Sequence, residues 1–460
     1  MFTLTLSWAG QAAADEPAPT PTATTETAHR APEGAAPAGS EVSAAQTPAA
    51  SAELAELKAK HRLLEERLAA LESRPPVAVA APPETSRGVQ LFGAPGKGLT
   101  LSMPDGRFSM TIKPRAQIRD TVTAQGDKAT TNELNVKTLR LWIIGNVLTK
   151  DLTYGIQLAF GGGDFETGSS SPIFDAFVDY SRLRDLNIRV GQFFVPFDRA
   201  RTIREFGLQL IDRQQVVSEL SLDRDIGLML YSNDLGGFRG ILAYNLGIFG
   251  GEGKNRFGGA AAGFLYVARI VVRPLGPFDD DIEGDLTRQR RPRLAIGLGG
   301  AYNQSTNRIR STTGNTLTLG TFDYWHGAAD VVFKFAGFSF LGELLIRSSN
   351  SGVLDGRTGG MDVHEWSRSA YGYLLQAGMM LHDKVEVAAR YDELIGLSPE
   401  NGNDPTLVSL VSATGRELGA GLNVYLNGHA FKLQGDYQYQ FGDSVTGGKH
   451  LVRIQLDASF

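Results

Sequence analysis

From about residue 100 to the C-terminus, the chain is written in short segments of alternating apolar and polar residues, separated by Gly, Asn, Asp and Ser. A period of two is the signature of antiparallel strands with two unlike faces. Read in order, the segments fall at 107–119, 136–148, 151–161, 173–181, 186–195, 224–232, 238–249, 264–273, 293–303, 324–335, 338–347, 369–381, 384–392, 416–427, 430–441 and 450–460. Each approaches the ~9–11 residues with which a tilted strand crosses a bilayer. The connections sort into two kinds. Those after even-numbered segments are short, as at Thr149-Lys150, Ala336-Gly337 and His382-Asp383, whereas those after odd-numbered ones are mostly long, as at 162–172, 196–223, 304–323, 348–368 and 393–415. One rim of turns and one rim of loops is the plan of a transmembrane barrel. The charged stretch Pro274–Pro292, after the eighth segment, breaks the pattern and reads as a solvated loop.

The two faces agree with this plan. In the first segment Phe108, Met110, Ile112 and Ile118 oppose Lys113, Arg115, Gln117 and Arg119. In the fifteenth, Phe431, Leu433, Tyr437 and Tyr439 oppose Lys432, Gln434, Asp436 and Gln438. Lipid takes the apolar face and a hydrated lumen takes the polar one. The last segment alternates Val452, Ile454, Leu456 and Ala458 with charged and polar residues and ends on Phe460, a pattern resembling the assembly signal of bacterial outer-membrane proteins. The expected fold is therefore all-β, an antiparallel 16-stranded outer-membrane barrel over 105–460, in the outer membrane of a Gram-negative cell.

Composition excludes competing classes. There is no cysteine, so disulfide scaffolds, thiolate metal sites and thiol catalysis are out. Forty-five basic against 50 acidic residues leave a net charge of −5, without the basic balance of a nucleic-acid binder. Mean hydropathy is −0.14 and no apolar run reaches the length of a membrane helix. No H-E-x-x-H, G-x-S-x-G or nucleotide-binding phosphate loop appears, and the histidines lack ligand spacing. The sequence thus points away from an enzyme and names no cofactor and no metal. The acidic run Asp279-Asp280-Asp281 with Glu283 and Asp285 has no bidentate Glu at calcium-loop spacing, which favours the solvated reading.

Ahead of the barrel the chain changes character. Residues 1–14 are apolar and end in Ala12-Ala13-Ala14, as a signal-peptide remnant would, although no basic residue leads them. Residues 15–50 form an Ala/Pro-rich linker too poor in large apolar residues to fold. Within 51–74, Leu54, Leu57, His61, Leu64, Leu68 and Leu71 mark an a/d seam of nearly three heptads, a coiled-coil helix stopped by Pro75-Pro76. Alone it is too short to be stable, so it either trimerises or remains a solvated helix. A second linker covers 75–104. A periplasmic helix at 53–72 could also bind peptidoglycan or another periplasmic partner and tether the envelope.

The stretch after the fifth segment reads Val190-Gly191-Gln192-Phe193-Phe194-Val195-Pro196-Phe197. It continues through Leu210-Ile211-Asp212-Arg213 to Arg224-Asp225-Ile226-Gly227. With Asp175-Ala176-Phe177-Val178-Asp179-Tyr180 and Ala268-Arg269 through Arg273-Pro274, it resembles the phosphate-selective porins of the O/P type. That resemblance implies a homotrimer of barrels, each with its third loop folded inward as a constriction for small, phosphate-like anions. The loop supplies Arg199, Arg201, Arg204 and Arg213, and the wall Lys113, Arg115, Arg119, Arg140 and Arg189, with Arg269 and Arg273 behind them. Rings of Arg or Lys in a narrow pore select anions, and the guanidinium fork matches phosphate oxygens.

The opposing reading comes from the same stretch. Between 198 and 224 five basic residues meet five acidic ones, Asp198, Glu205, Asp212, Glu219 and Asp223. Asp175, Asp179, Glu343, Glu386, Asp392 and Asp436 add negative charge to the lumen face. Some arginines must then hold the loop rather than face the solute, and the alternative is a weakly selective general porin.

Overall fold

The computed structural model describes residues 58–67, 88–165, 171–256, 263–397, 415–442 and 447–460. Residues 58–67 form a helix, α1, exposed throughout, with contacts one turn apart between His61 and Glu65 at 3.3 Å and Arg62 and Glu66 at 4.0 Å. His61 and Leu64 of the heptad seam lie on it. Leu54, Leu57, Leu68 and Leu71 lie outside the described residues, as do the expected signal-peptide remnant and the Ala/Pro-rich linker.

The rest is a barrel. Its first half runs β3 Phe108–Gln125, β4 Thr131–Val147, β5 Leu152–Ala159, β6 Ile173–Leu183, β7 Leu186–Phe194, β8 Arg224–Ser232, β9 Leu242–Phe249 and β10 Leu265–Val272. Its second half runs β11 Arg293–Thr306, β12 Phe322–Phe335, β13 Phe338–Ser349, β16 Ala370–His382, β17 Val385–Gly396, β18 Gly415–Asn427, β19 Phe431–Phe441 and β20 Lys449–Ser459. These are the sixteen strands the alternation predicts. Every sequential pair is antiparallel, and β20 closes on β3 from Lys449 opposite Gln125 to Ser459 opposite Arg115, which removes both sheet edges. Turns on one rim are tight. Ala336 and Gly337 both take positive φ, 51° and 95°, as a two-residue hairpin requires to follow the strand twist.

Two hairpins were not legible as such. β1 (Gln90–Ala94) and β2 (Gly98–Ser102) form one where the sequence reading places a linker. β2 takes up the edge of β3 beyond the end of β20, with Leu99 opposite Ile112 and Ser102 opposite Ser109. β14 (Val353–Thr358) and β15 (Met361–Trp366) form the other, inside a long loop.

Burial is inverted relative to a water-soluble barrel. Leu139, Val178, Leu246, Leu298, Leu344, Leu418 and Ile454 are exposed on the outer face, whereas Gln117, Arg119, Asp330, Arg347, Asp392 and Asp457 are buried on the inner one. This suits lipid outside. Much of the inner face is buried because chain fills the lumen there.

Candidate pore constriction

The filling begins with the loop after β7, residues 195–223, which crosses the lumen and returns. It enters at Phe197, fully buried, whose carbonyl accepts from Arg269 Nη1 at 3.0 Å. The wall makes room by lacking side chains. A Cβ on Gly299 would lie 2.1 Å from Phe197 O, one on Gly378 1.9 Å from Gln209 Nε2, and one on Gly419 2.5 Å from Leu210 Cδ2. A short helix, α2 (Arg199–Thr202), follows, and Glu343 of β13 accepts the backbone N–H groups of Arg199 and Ala200 at 2.8 and 3.0 Å. At the far wall Ile211 N–H donates to Asp436, while Asp212 accepts from Arg119 at 2.8 Å and Arg453 at 2.7 Å. Lys432 Nζ donates to the carbonyls of Phe206 and Leu208, at 2.9 Å each. The return leg holds α3 (Gln215–Leu220), whose Val216, Val217 and Leu220 pack on Leu345, Leu374 and Leu394. Burial of each such side chain contributes roughly 1.5–3 kcal/mol relative to exposure.

The charged turn 274–292, expected to be solvated, instead folds inward and braces this loop from the opposite rim. Asp280, Glu283 and Asp285 are buried. Glu283 accepts from Gln209 N–H and Gln376 Nε2, both at 2.6 Å, and its own N–H donates to Gly207 O. Lys334 Nζ donates to the carbonyls of Asp279 and Ile282 at 2.8 and 2.6 Å. A buried carboxylate needs such partners to offset its lost hydration. No cluster able to hold a metal occurs among the described residues.

The sequence-predicted cations divide into two groups. Arg199, 4% exposed, is shared between Asp330 at 2.6 Å and Asp280 at 3.0 Å. Arg201 donates to Asp223 at 2.5 Å, Arg213 to Ala200 O at 3.0 Å, and Arg119 to Asp212. These anchor the loop. Lys113, Arg115, Arg140, Arg189 and Arg204 instead converge on one cavity of about 610 Å3 against β3–β7. Even here most are paired: Arg115 with Asp457 at 2.6 Å, Arg140 with Asp164 at 2.7 Å and Glu205 at 2.6 Å, and Arg189 with Asp179 at 2.6 Å. Arg204 approaches Asp175 only to 4.0 Å, and that carboxylate already accepts from Arg224 at 2.9 Å. Lys113 has no hydrogen-bond or ion-pair partner among the described residues.

Electrostatics in the loop follow from these partners. Burial raises the Glu205 carboxyl, but Arg140, Arg213 and Arg224 outweigh it and hold the group well below its usual range. Burial lowers the Arg213 guanidinium to about 10, against the opposing pull of Glu205, so it remains charged at neutral pH. Asp198 is pushed up to about 6 by burial, although the Ser221 hydroxyl donates to it and Arg269 is near.

Sequence reasoning missed the apolar part of the cavity. Trp142 and Ile144 share the lumen face of β4 with Arg140, Phe177 sits between Asp175 and Asp179 on β6, and Phe206 comes from the loop. The usable signal was an aromatic residue on an otherwise polar face. Lys97, at the tip of the β1–β2 hairpin, and His429, in the β18–β19 turn, complete the rim; nothing local in the sequence pointed to either.

No family model and no curated protein sequence matches the chain. Solved structures do. The outer membrane channel DcaP of Acinetobacter baumannii aligns with TM-score 0.51 at 11% identity, over 78% of this chain and 99% of its own. OmpF of Salmonella typhi, solved in complex with daunomycin, aligns with TM-score 0.51 at 12% identity, over 78% and 99%. An anion-selective porin from Comamonas acidovorans aligns with TM-score 0.50 at 14% identity, over 77% and 100%. The chain has the 16-stranded fold of Gram-negative outer-membrane porins, and its apolar outer face is that of an outer-membrane protein.

Proposed function

We propose that the barrel is a passive diffusion channel that prefers small anions, phosphate-like ones among them, and that it works as a homotrimer. The supporting observation is the uneven charge of the cavity lining, where three of the arginines nonetheless pair with carboxylates. Lys97, Lys113, Arg115, Arg140, Arg189 and Arg204 line the cavity against a single lining carboxylate, Glu205. A low-dielectric wall focuses the field of such a cluster into the water it encloses. Solute moves down its gradient and no covalent step is involved. Reversal potentials of the purified protein in planar bilayers under a KCl gradient test the reading: chloride preference is expected, and cation preference would overturn it. The weakly selective reading draws on the pairing of Arg119, Arg199, Arg201 and Arg213, and predicts a potential near zero in the same recording. The proposal that 53–72 binds peptidoglycan or a periplasmic partner is separate from conduction.

A further inference from the structure

The cavity on the β3–β7 side has a volume of about 610 Å3, within the range of small-molecule sites. Its donors are not arranged as an inorganic oxyanion would need. The guanidinium edges of Arg115, Arg140 and Arg189 are already turned to Asp457, to Asp164 and Glu205, and to Asp179. A phosphate held by arginine forks needs such edges free. The faces are used differently. Arg204 lies over Trp142 at 4.3 Å, Arg189 over Phe177 at 4.4 Å and Arg115 over Phe206 at 4.4 Å. Ile144, 40% exposed, extends the apolar strip along β4. Stacked guanidinium and aromatic planes accept a further flat group. An uncommitted positive charge within reach is the compact ammonium of Lys113, opposite Trp142 in the β3–β4 register, and Arg204 over the same Trp142 has only a shared and distant carboxylate.

From flat apolar faces next to a free ammonium, we infer that this cavity binds organic monocarboxylates carried on a planar apolar body, of the arenecarboxylate class. The carboxylate sits toward Lys113, and the ring lies along Trp142 and Phe177. This deepens the anion-channel reading and rests on it: the channel would concentrate such acids at its wall before release. A site of this kind discriminates by shape of the apolar part, whereas a bare ring of charge ranks solutes by charge alone.

The test titrates the chloride current of the full-length protein in planar bilayers with benzoate, cyclohexanecarboxylate, acetate and phosphate. Benzoate should reduce the current at about tenfold lower concentration than acetate, with puckered cyclohexanecarboxylate between them. Lys113→Gln should weaken benzoate and acetate alike, whereas Trp142→Leu should bring benzoate down to acetate. Equal potency of benzoate and acetate overturns the site, as does tighter block by phosphate. If Trp142→Leu does not insert, the solute series on the unaltered protein still decides. The KCl reversal potential of the same membranes separates the two claims. Cation preference sinks the channel reading, while chloride preference with equal benzoate and acetate sinks only the site.

Discussion

The lumen has two unlike walls. Along β10–β20 the inward charges also hold the crossing loop: Asp330 meets Arg199, Asp436 and Arg453 meet residues 211 and 212, and Glu386 meets Gln209. Along β3–β7 Arg119 and Arg140 also meet loop carboxylates, Asp212 and Glu205, but Arg189 pairs with Asp179 within the wall, and at the cavity Arg204 and Lys113 are left without a close carboxylate. The same residue types thus anchor the loop on one side and line the cavity on the other. What sets Arg204 and Lys113 apart is that no carboxylate is brought into close contact with them.

Removing an anchor should have the largest effect. Arg199→Ala leaves Asp330 to Arg269 and Asp280 to Arg273 alone in a buried site, and breaking a buried pair costs up to about 3–5 kcal/mol. The expected result is a lower thermal unfolding temperature together with larger, noisier single-channel currents as the loop loosens; unchanged currents would show that the loop is held without it. On the open wall stability should barely respond and selectivity should. Lys113→Glu reverses a charge with no close carboxylate, and the reversal potential in a KCl gradient should move toward cations. A shift as large from Arg199→Ala as from Lys113→Glu would erase the distinction between the walls.

The smallest effect concerns pH. Asp198, at the loop entrance, holds its proton up to about 6 when folded against 3.8 as its ordinary value. Ser221 donates to it, Arg269, Arg201 and Arg213 attract its charged form, and Glu343 opposes that form. A carboxyl raised on folding contributes stability that is fully present below its unfolded value and is lost as pH rises through the folded one. Thermal stability should therefore fall between pH 4 and pH 6.5, and the fall should be shallower in Asp198→Asn. An identical slope in the two proteins would remove Asp198 from the account.

How far the sequence carried the reading depends on the range of the forces involved. Strands were legible because lipid and water impose alternation residue by residue, and the observed β8 spans the expected 224–232. The β1–β2 hairpin escaped because five-residue strands beside glycines give too short a pattern, although Leu99 and Leu101 alternate with Thr100 and Ser102. The turn 274–292 read as solvated because its partners are remote: Asp280 meets Arg199, and Glu283 meets Gln209 and Gln376, all distant in the chain. Arg199 and Arg204 are indistinguishable by local context, both lying in the same arginine-rich run. Only the wall opposite each decides that one is enclosed by two carboxylates and the other stacks on Trp142.

The missing side chains at Gly299, Gly378 and Gly419 have a consequence for how such a channel can be altered. Together they form a mould in the wall whose shape matches one path of the crossing loop, with carbonyl and side-chain atoms of that path occupying the volume a methyl group would need. A loop grafted from another barrel would find the mould empty along part of its length and obstructed elsewhere. Loop and wall must therefore be exchanged as a unit, and alanine at any one of these positions should displace the constriction from a distance, without touching a single charge.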